Sequence, residues 1–143
     1  MTGTLLAFDY GRARVGVASG NRLTGSAGPL EPLDAGDSGR FWRDIQSLFD
    51  DWKPVTVVVG LPLSMDGSET PISAQARAFA DALEKRFGIP VILHDERLTS
   101  REAQSRFAEA RAGQRMRRRD RRLLDSMAAT LIAESWLAEQ PPA

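Results

Sequence analysis

Three carboxylates lie at the ends of, or within, separate apolar stretches and together could hold a metal ion. Asp9 ends the first apolar run, Glu96 follows a second at 91–95, and Asp125 lies in a helical stretch at 123–129. A carboxylate on an apolar helical face is costly to bury unless a cation or a hydrogen-bond donor compensates it. Each acid taken alone is better explained as a helix cap or a surface residue. If the three converge, a hard divalent ion such as Mg²⁺ is the expected compensator.

The composition indicates an ordinary globular protein. The chain has 143 residues, of which 42% are apolar and 27% are charged, so we expect a single domain spanning 1–143. No apolar run approaches the roughly 20 residues that span a bilayer, and no signal pattern opens the chain, so we expect a cytoplasmic protein without membrane contact. The absence of cysteine and the single histidine disfavour a zinc site.

The zero net charge conceals a strong asymmetry. Residues 97–122 contain ten arginines against three acidic residues, whereas the rest of the chain has nine basic and sixteen acidic residues. A basic block joined to an acidic body suits a polyanionic partner, and the arginine fork suits phosphate. Genome base composition can also favour arginine. We therefore predict nucleic acid as the partner from the charge layout rather than from the arginine preference.

The centre of the basic block, about 112–119, has no apolar periodicity and is predicted to be a mobile loop. We expect four arginines of this loop and one just after it to contact phosphates: Arg115, Arg117, Arg118, Arg119 and Arg121. The alternatives are a solvated loop or a loop paired with the acidic surface of a neighbouring subunit. A short disordered tail is expected at about 140–143.

Strands and helices alternate along the chain in a way that would position these residues. Apolar and β-branched runs predict strands at 4–8, 14–19, 27–33, 55–60 and 90–94. Helical spacing predicts a helix that begins at Ser38 as its N-cap, a second at 71–87 ended by Gly88, a third capped by Thr99, and a last one ending near Glu139. This order indicates an α/β fold with a mixed central sheet and helices on both faces.

Two further segments carry polar groups at strand ends. In the first, Asp9-x-Gly11-x-x-Arg14, the glycine allows close backbone approach, and Arg12 and Arg14 supply cations; a plain hairpin turn is the alternative. In the second, a Pro/Gly/Ser loop at 61–70 follows the central strand, where open α/β sheets bind ligands. Its Ser64 and Ser68 could contact a phosphodiester, or the loop could be an ordinary surface loop.

Four motifs occur in order along the chain: Asp9-Tyr10-Gly11-Arg12-Ala13-Arg14-Val15-Gly16, Val59-Gly60-Leu61-Pro62-Leu63-Ser64, Asp95-Glu96-Arg97-Leu98-Thr99 and Leu124-Asp125-Ser126-Met127-Ala128-Ala129. Together they closely resemble the YqgF/RuvX family, bacterial nucleases related to the RuvC Holliday junction resolvases. The resemblance implies an RNase H-like fold and a metal-dependent phosphodiesterase that processes the 5′ end of pre-16S rRNA. The three acids of the family correspond to Asp9, Glu96 and Asp125.

The chain departs from the family pattern at two places. Ala13-Arg14 stands where many members have Lys-Arg, so one cation is missing and Arg12 is its natural substitute. Gly20-Asn21 stands where a Ser-Asp pair is often found, which removes an additional acid.

These residues lead to a hypothesis in which Asp9, Glu96 and Asp125 hold one or two Mg²⁺ or Mn²⁺ ions while water attacks phosphorus in line. Arg97 would bind phosphate, although it could instead pair with Asp95 or Glu102. Strand alternation does not settle whether His94 faces the site. The rival hypotheses are a Holliday junction resolvase acting as a symmetric dimer and a non-catalytic nucleic-acid adaptor. The sequence is compatible with RNA, branched DNA or single-stranded DNA as the substrate. It is also compatible with a monomer or a homodimer.

Overall fold

The computed structural model describes residues 3–11, 13–95 and 126–141. These ranges contain five strands and three helices. The strands are β1 (Thr4–Asp9), β2 (Arg14–Asn21), β3 (Ser26–Asp34), β4 (Thr56–Leu61) and β5 (Val91–Asp95). The helices are α1 (Ser38–Trp52), α2 (Pro71–Phe87) and α3 (Met127–Ala138).

The strands form one mixed sheet in the order β3-β2-β1-β4-β5. β1, β2 and β3 are joined as antiparallel neighbours, whereas β1, β4 and β5 run parallel. The carboxyl ends of the three parallel strands therefore meet at one edge of the sheet, which is where ligands bind in open α/β sheets. The predicted mixed sheet is confirmed.

Helices cover both faces of the sheet, as predicted. On one face, α1 and α2 pack on alternate strand residues that include Leu6, Phe8, Val57 and Val59. On the other face, α3 packs on the intervening residues, which include Leu5, Ala7, Ala18 and Val58. The continuous apolar run at 57–59 is buried on both sides because β4 is an interior strand covered by both layers.

The helix ends predicted within the described residues agree with the structure except at the start of α1. Gly88 ends α2 in the left-handed region at φ 64°, and α1 ends before Pro54 with Lys53 at φ 46°. The predicted N-cap of α1 was wrong: Asp37, not Ser38, caps the helix, because its carboxylate accepts a hydrogen bond from the backbone N–H of Arg40 at 3.2 Å.

Three predicted segments lie wholly or partly outside the residues that the structure describes. The helix capped by Thr99 and the basic loop at 112–119 lie outside the described residues. Within the predicted tail, the N–H of Gln140 donates to the carbonyl of Leu137 at 3.1 Å. In the ranges that the structure covers, no helix combines the length and the apolar character needed to cross a membrane.

Candidate active site

Asp9 is the last residue of β1, the strand at the centre of the sheet, and it is half-buried. Side chains alternate between the two faces of a strand. Leu5 and Ala7 pack under α3, and Leu6 and Phe8 pack on the opposite face. The same alternation places the Asp9 carboxylate on the α3 face, at the edge where the parallel strands end.

Glycines flank Asp9 on both neighbouring strands. In β2, Gly16 is its direct partner. In β4, Val59 is the partner of Phe8, so Gly60 is level with Asp9. Directly opposed residues on adjacent strands project their Cβ atoms to the same side, about 5 Å apart. Neither of these strand partners therefore places a side chain beside the Asp9 carboxylate on the α3 face.

A buried hydroxyl places the start of α3 near this edge. The Ser126 Oγ accepts a hydrogen bond from the backbone N–H of Val17 at 3.0 Å and donates to the carbonyl of Leu30 at 2.6 Å. Val17 is the strand partner of Phe8, the residue before Asp9. Ser126 therefore fixes the amino-terminal end of α3 across β2 and β3, at the level of the end of β1.

The hairpin after Asp9 requires a glycine at position 11. A Cβ built on Gly11 would lie 2.4 Å from the carbonyl oxygen of Arg14, a distance that real side chains do not adopt. This close approach is between two parts of the hairpin itself, as a plain hairpin turn also requires. Arg14, at the start of β2, is exposed.

β5 ends with two polar residues that belong to different faces. His94 is buried, and its Nε2 lies 3.0 Å from the Ser135 Oγ and 3.5 Å from the Glu139 Oε2, both at the carboxyl-terminal part of α3. His94 thus lies on the α3 face, the face of Asp9, which the sequence alone did not settle. Alternation directs Asp95 toward the α1 and α2 face.

The loop at 62–70 is closed by its own polar groups. The Ser64 N–H donates to the carbonyl of Ser68 at 2.9 Å, and the Ser68 hydroxyl donates to the Asp66 carboxylate at 2.6 Å. The Ser68 hydroxyl hydrogen is therefore engaged inside the loop, and a carboxylate lies beside it. Ser64 is half-buried near the end of β4.

Two contacts with α2 hold this loop in place, and neither was predicted from the sequence. Ser73 is fully buried; its hydroxyl accepts the Thr70 N–H at 3.0 Å and donates to the carbonyl of Pro62. Arg77 donates two 2.8 Å hydrogen bonds to the Glu69 carboxylate. Those hydrogen bonds from Arg77 lower the pKa of Glu69, and the same hydrogen bonds raise the pKa of Arg77.

The remaining predicted site residues lie outside the described ranges. They are Arg12, Glu96, Arg97, Arg115, Arg117, Arg118, Arg119, Arg121 and Asp125. Within the described part of the chain, no three Asp, Glu, His or Cys residues form a group that could hold a metal. Asp9, the one predicted ligand that is described, has the carboxylate oxygens that Mg²⁺ takes as ligands.

Comparisons with known proteins agree with this architecture. Residues 3–139 match the model of the family RuvX, described as Holliday junction resolvase. A protein of Sodalis glossinidius (strain morsitans) with the provisional name pre-16S rRNA nuclease is 45% identical over 97% of this chain and 96% of its own length. A protein of Salmonella newport (strain SL254) with the same name is 46% identical over 97% of this chain and 99% of its own.

Among solved structures, RuvC of T. thermophilus in complex with a Holliday junction substrate covers 99% of both chains with a TM-score of 0.60 and 16% identity. This likeness confirms the RNase H-like fold. The match over residues 3–139, with relatives about 45% identical along nearly their whole length, shows that the chain belongs to the RuvX family of nucleases.

Proposed function

We propose that this chain is a divalent-metal-dependent nuclease that processes the 5′ end of pre-16S rRNA in the cytoplasm. Membership of a nuclease family makes it a hydrolase of phosphodiester bonds. The name shared by its relatives favours ribosomal RNA as the substrate. The basic segment at 97–122, with its ten arginines, matches a nucleic-acid partner.

The observation that carries the proposal is the position of Asp9 between two glycines. Its carboxylate stands at the ligand-binding edge of the sheet, and neither Gly16 nor Gly60 fills the space on either side. A carboxylate flanked by two residues without side chains suits an oxygen-ligated ion together with a substrate phosphate.

The two other acids of the proposed centre are connected to described residues on the same face. Glu96 is two residues beyond His94 in the sequence, and His94 lies on the same face of the sheet as Asp9. Asp125 immediately precedes Ser126, which is fixed opposite the end of β1. Both connections support Asp9, Glu96 and Asp125 as the ligand set.

In this proposal the three carboxylates hold one or two Mg²⁺ or Mn²⁺ ions, which when bound would polarise the scissile phosphate and lower the pKa of the attacking water. Arg14, with Arg12 and Arg97, binds the phosphates on either side of the cleavage point. The arginines at 115, 117, 118, 119 and 121 bind phosphates further away. Because the Ser68 hydroxyl is engaged by Asp66, the loop at 62–70 would contact substrate through Ser64 and through its backbone N–H groups.

A cleavage assay on three substrates tests the proposal. The purified chain is incubated with a structured RNA carrying the pre-16S 5′ region, with single-stranded DNA and with a four-way DNA junction, each in Mg²⁺, Mn²⁺ and EDTA. We expect cleavage of the RNA with either metal and none in EDTA. Cleavage of the RNA in EDTA would contradict the metal site, and binding of all three substrates without cleavage would instead indicate a non-catalytic adaptor.

A Holliday junction resolvase is the second candidate, because the family description names that activity. Such an enzyme would work as a symmetric dimer that presents two sites to the junction. Paired, symmetric cuts in the four-way junction, with the RNA left intact, would favour this candidate over RNA processing.

A further inference from the structure

A cleft with aromatic walls lies on the far side of the same sheet edge. Its cavity volume is about 360 Å³, which is within the range of ligand pockets. It lies between the start of α1, the middle of α2 and the residue that follows Asp9. The lining residues are Tyr10, Ala35, Ser38, Phe41, Trp42, Gln75, Ala78, Phe79 and Ala82.

The aromatic rings of this cleft are divided into a buried floor and half-exposed walls. Phe41 and Phe79 are buried and form the floor. Tyr10 and Trp42 are half-buried, and both contact the Phe79 ring, with centroid distances of 5.1 and 6.1 Å. Burial in the core accounts for the floor residues. It does not require two further large rings to remain open to solvent at the edge of the cleft.

Polar groups border the cleft where an aromatic ligand would need them. Ser38 and Gln75 line it and carry a hydroxyl and an amide, which can both donate and accept hydrogen bonds. The Arg86 guanidinium lies over the Trp42 ring, 4.0 Å from its centroid. Flat aromatic walls with hydrogen-bonding side chains are the contacts with which proteins hold unstacked bases of single-stranded nucleic acid, and an arginine next to an aromatic wall can add to them.

The position of Tyr10 connects this cleft to the proposed cleavage centre. Consecutive Cα atoms are about 3.8 Å apart, so the Tyr10 backbone is adjacent to that of Asp9. Phe8 packs on the α1 and α2 face, and Tyr10 continues on that face, while the Asp9 carboxylate is on the other. A strand crossing the sheet edge with a phosphate at Asp9 would bring a neighbouring base to Tyr10.

We propose that this cleft binds one nucleobase of the substrate strand, flanking the scissile phosphate, by stacking it against Tyr10 and Trp42. The inference rests on the proposed nuclease function. It assigns to the chain a single-stranded or locally unpaired substrate at this point, because a base inside a duplex is stacked on its neighbours and cannot enter the cleft.

The test uses short single-stranded oligonucleotides in EDTA, in which each position in turn carries either the fluorescent base 2-aminopurine or an abasic site. We expect quenching at one position, and an abasic site there should weaken binding about tenfold, the order given by one stacked base. Tyr10→Leu and Trp42→Leu should each weaken binding to the intact strand by a similar factor. When the strand is abasic at the quenched position, neither substitution should weaken its binding further. Tyr10→Phe keeps the aromatic ring and should retain the wild-type affinity.

Trp52→Leu is the matched control. Trp52 is 40% exposed and lies on the same helix, about 15 Å from Trp42 and outside the cleft. It should bind like the wild type. If the wild type binds and cleaves but an abasic site weakens binding at no position, then no nucleobase occupies the cleft. In that case the base-binding proposal is wrong, regardless of the results for the variants, and the nuclease proposal is unaffected. If the wild type neither binds nor cleaves any nucleic acid, the proposed function itself fails.

Discussion

The side chain of Ser126 completes the backbone hydrogen bonding of Val17. Its Oγ accepts a hydrogen bond from the Val17 N–H at 3.0 Å, and its hydroxyl donates one to the carbonyl of Leu30 at 2.6 Å. The backbone alignment of β2 with β3 shifts between Val15 and Val17, so this hydroxyl bridges the two strands where their ladder is irregular. One buried side chain thus joins α3 to β2 and β3.

Ser126→Ala should destabilise the protein by about 1–3 kcal/mol, because the buried Val17 N–H and the partly buried Leu30 carbonyl would each lose a partner. It should also reduce cleavage, since the residue next to Asp125 would no longer be fixed opposite the end of β1. Urea unfolding measures the first effect, and kcat at saturating substrate measures the second. Ser47→Ala, at an exposed serine of α1, is the control and should change neither quantity.

Asp9→Asn should abolish metal-dependent cleavage and leave the fold intact, because an amide keeps the size of the side chain but ligates a hard cation weakly. Without metal, its Tm should equal or exceed that of the wild type. Asp95→Asn is the matched control: Asp95 also ends a parallel strand, but it belongs to the opposite face and should keep most of the activity. Wild-type turnover by purified Asp9→Asn would show that the metal site has been placed wrongly.

Most strands of the sheet were predicted from the sequence because each is indicated by the pattern of residues within the strand and by the turn next to it. The apolar run at 55–60 and the pairing of 4–8 with 14–19 follow from periodicity and a glycine-containing turn. The position of Asp9 at a strand end followed in the same way. The glycines on both sides of Asp9 depend on the register of three strands, and the partners of Ser126 are 109 and 96 residues away. Local patterns contain no information about such distant pairings.

Small shifts at helix ends show the same limit. Ser38 and Asp37 are neighbours with equally suitable side chains, and only the path of the chain decides which of them reaches the Arg40 N–H. The face of His94 likewise depended on where α3 crosses β5. The sequence shows one wall of the aromatic cleft, Tyr10 beside Asp9, but the other wall comes from α1, which only the fold brings next to it.

Asp125→Ala should inactivate the enzyme, whereas Asp120→Ala, five residues earlier, should not. Asp120 is surrounded by arginines in the sequence and is better explained as a helix-start residue, while Asp125 directly precedes the fixed Ser126. Cleavage rates of the two variants under identical metal concentrations provide the measurement. Equal losses of activity would mean that the wrong carboxylate has been chosen.

The Glu69–Arg77 pair should make the loop at 62–70 sensitive to acid. Hydrogen bonds from Arg77 lower the pKa of Glu69 in the folded protein below 4.5, its ordinary value. The stabilising effect of the pair is therefore present above that ordinary value and is lost as the pH falls through the lowered pKa. The Arg77→Gln variant should return the Glu69 pKa toward its ordinary value, which carbon NMR titration of the carboxyl group measures. An unchanged titration would show that the pair does not form in solution.

Neutralising Arg117, Arg118 and Arg119 together should weaken substrate binding and spare metal binding and folding. The stretch from Gly113 to Arg119 contains a single apolar residue, Met116, so it offers little to a hydrophobic core. Its clustered positive charges repel one another unless a polyanion screens them. We therefore expect these side chains to contact phosphates rather than bases.

Phosphate contacts release counterions, so the logarithm of the binding constant falls with the logarithm of salt concentration, by roughly 0.7 per phosphate for single strands and 0.9 for duplex DNA. Replacing all three arginines by glutamine should flatten this slope by about two to three units and lower affinity similarly for every sequence. Arg22 and Arg43, replaced by glutamine in a control variant, are exposed cations of the acidic body and should leave the slope unchanged. An unchanged slope in the triple variant would instead favour a solvated loop or contact with a neighbouring subunit, and the phosphate contacts would then lie around Arg12, Arg14 and the loop at 62–70.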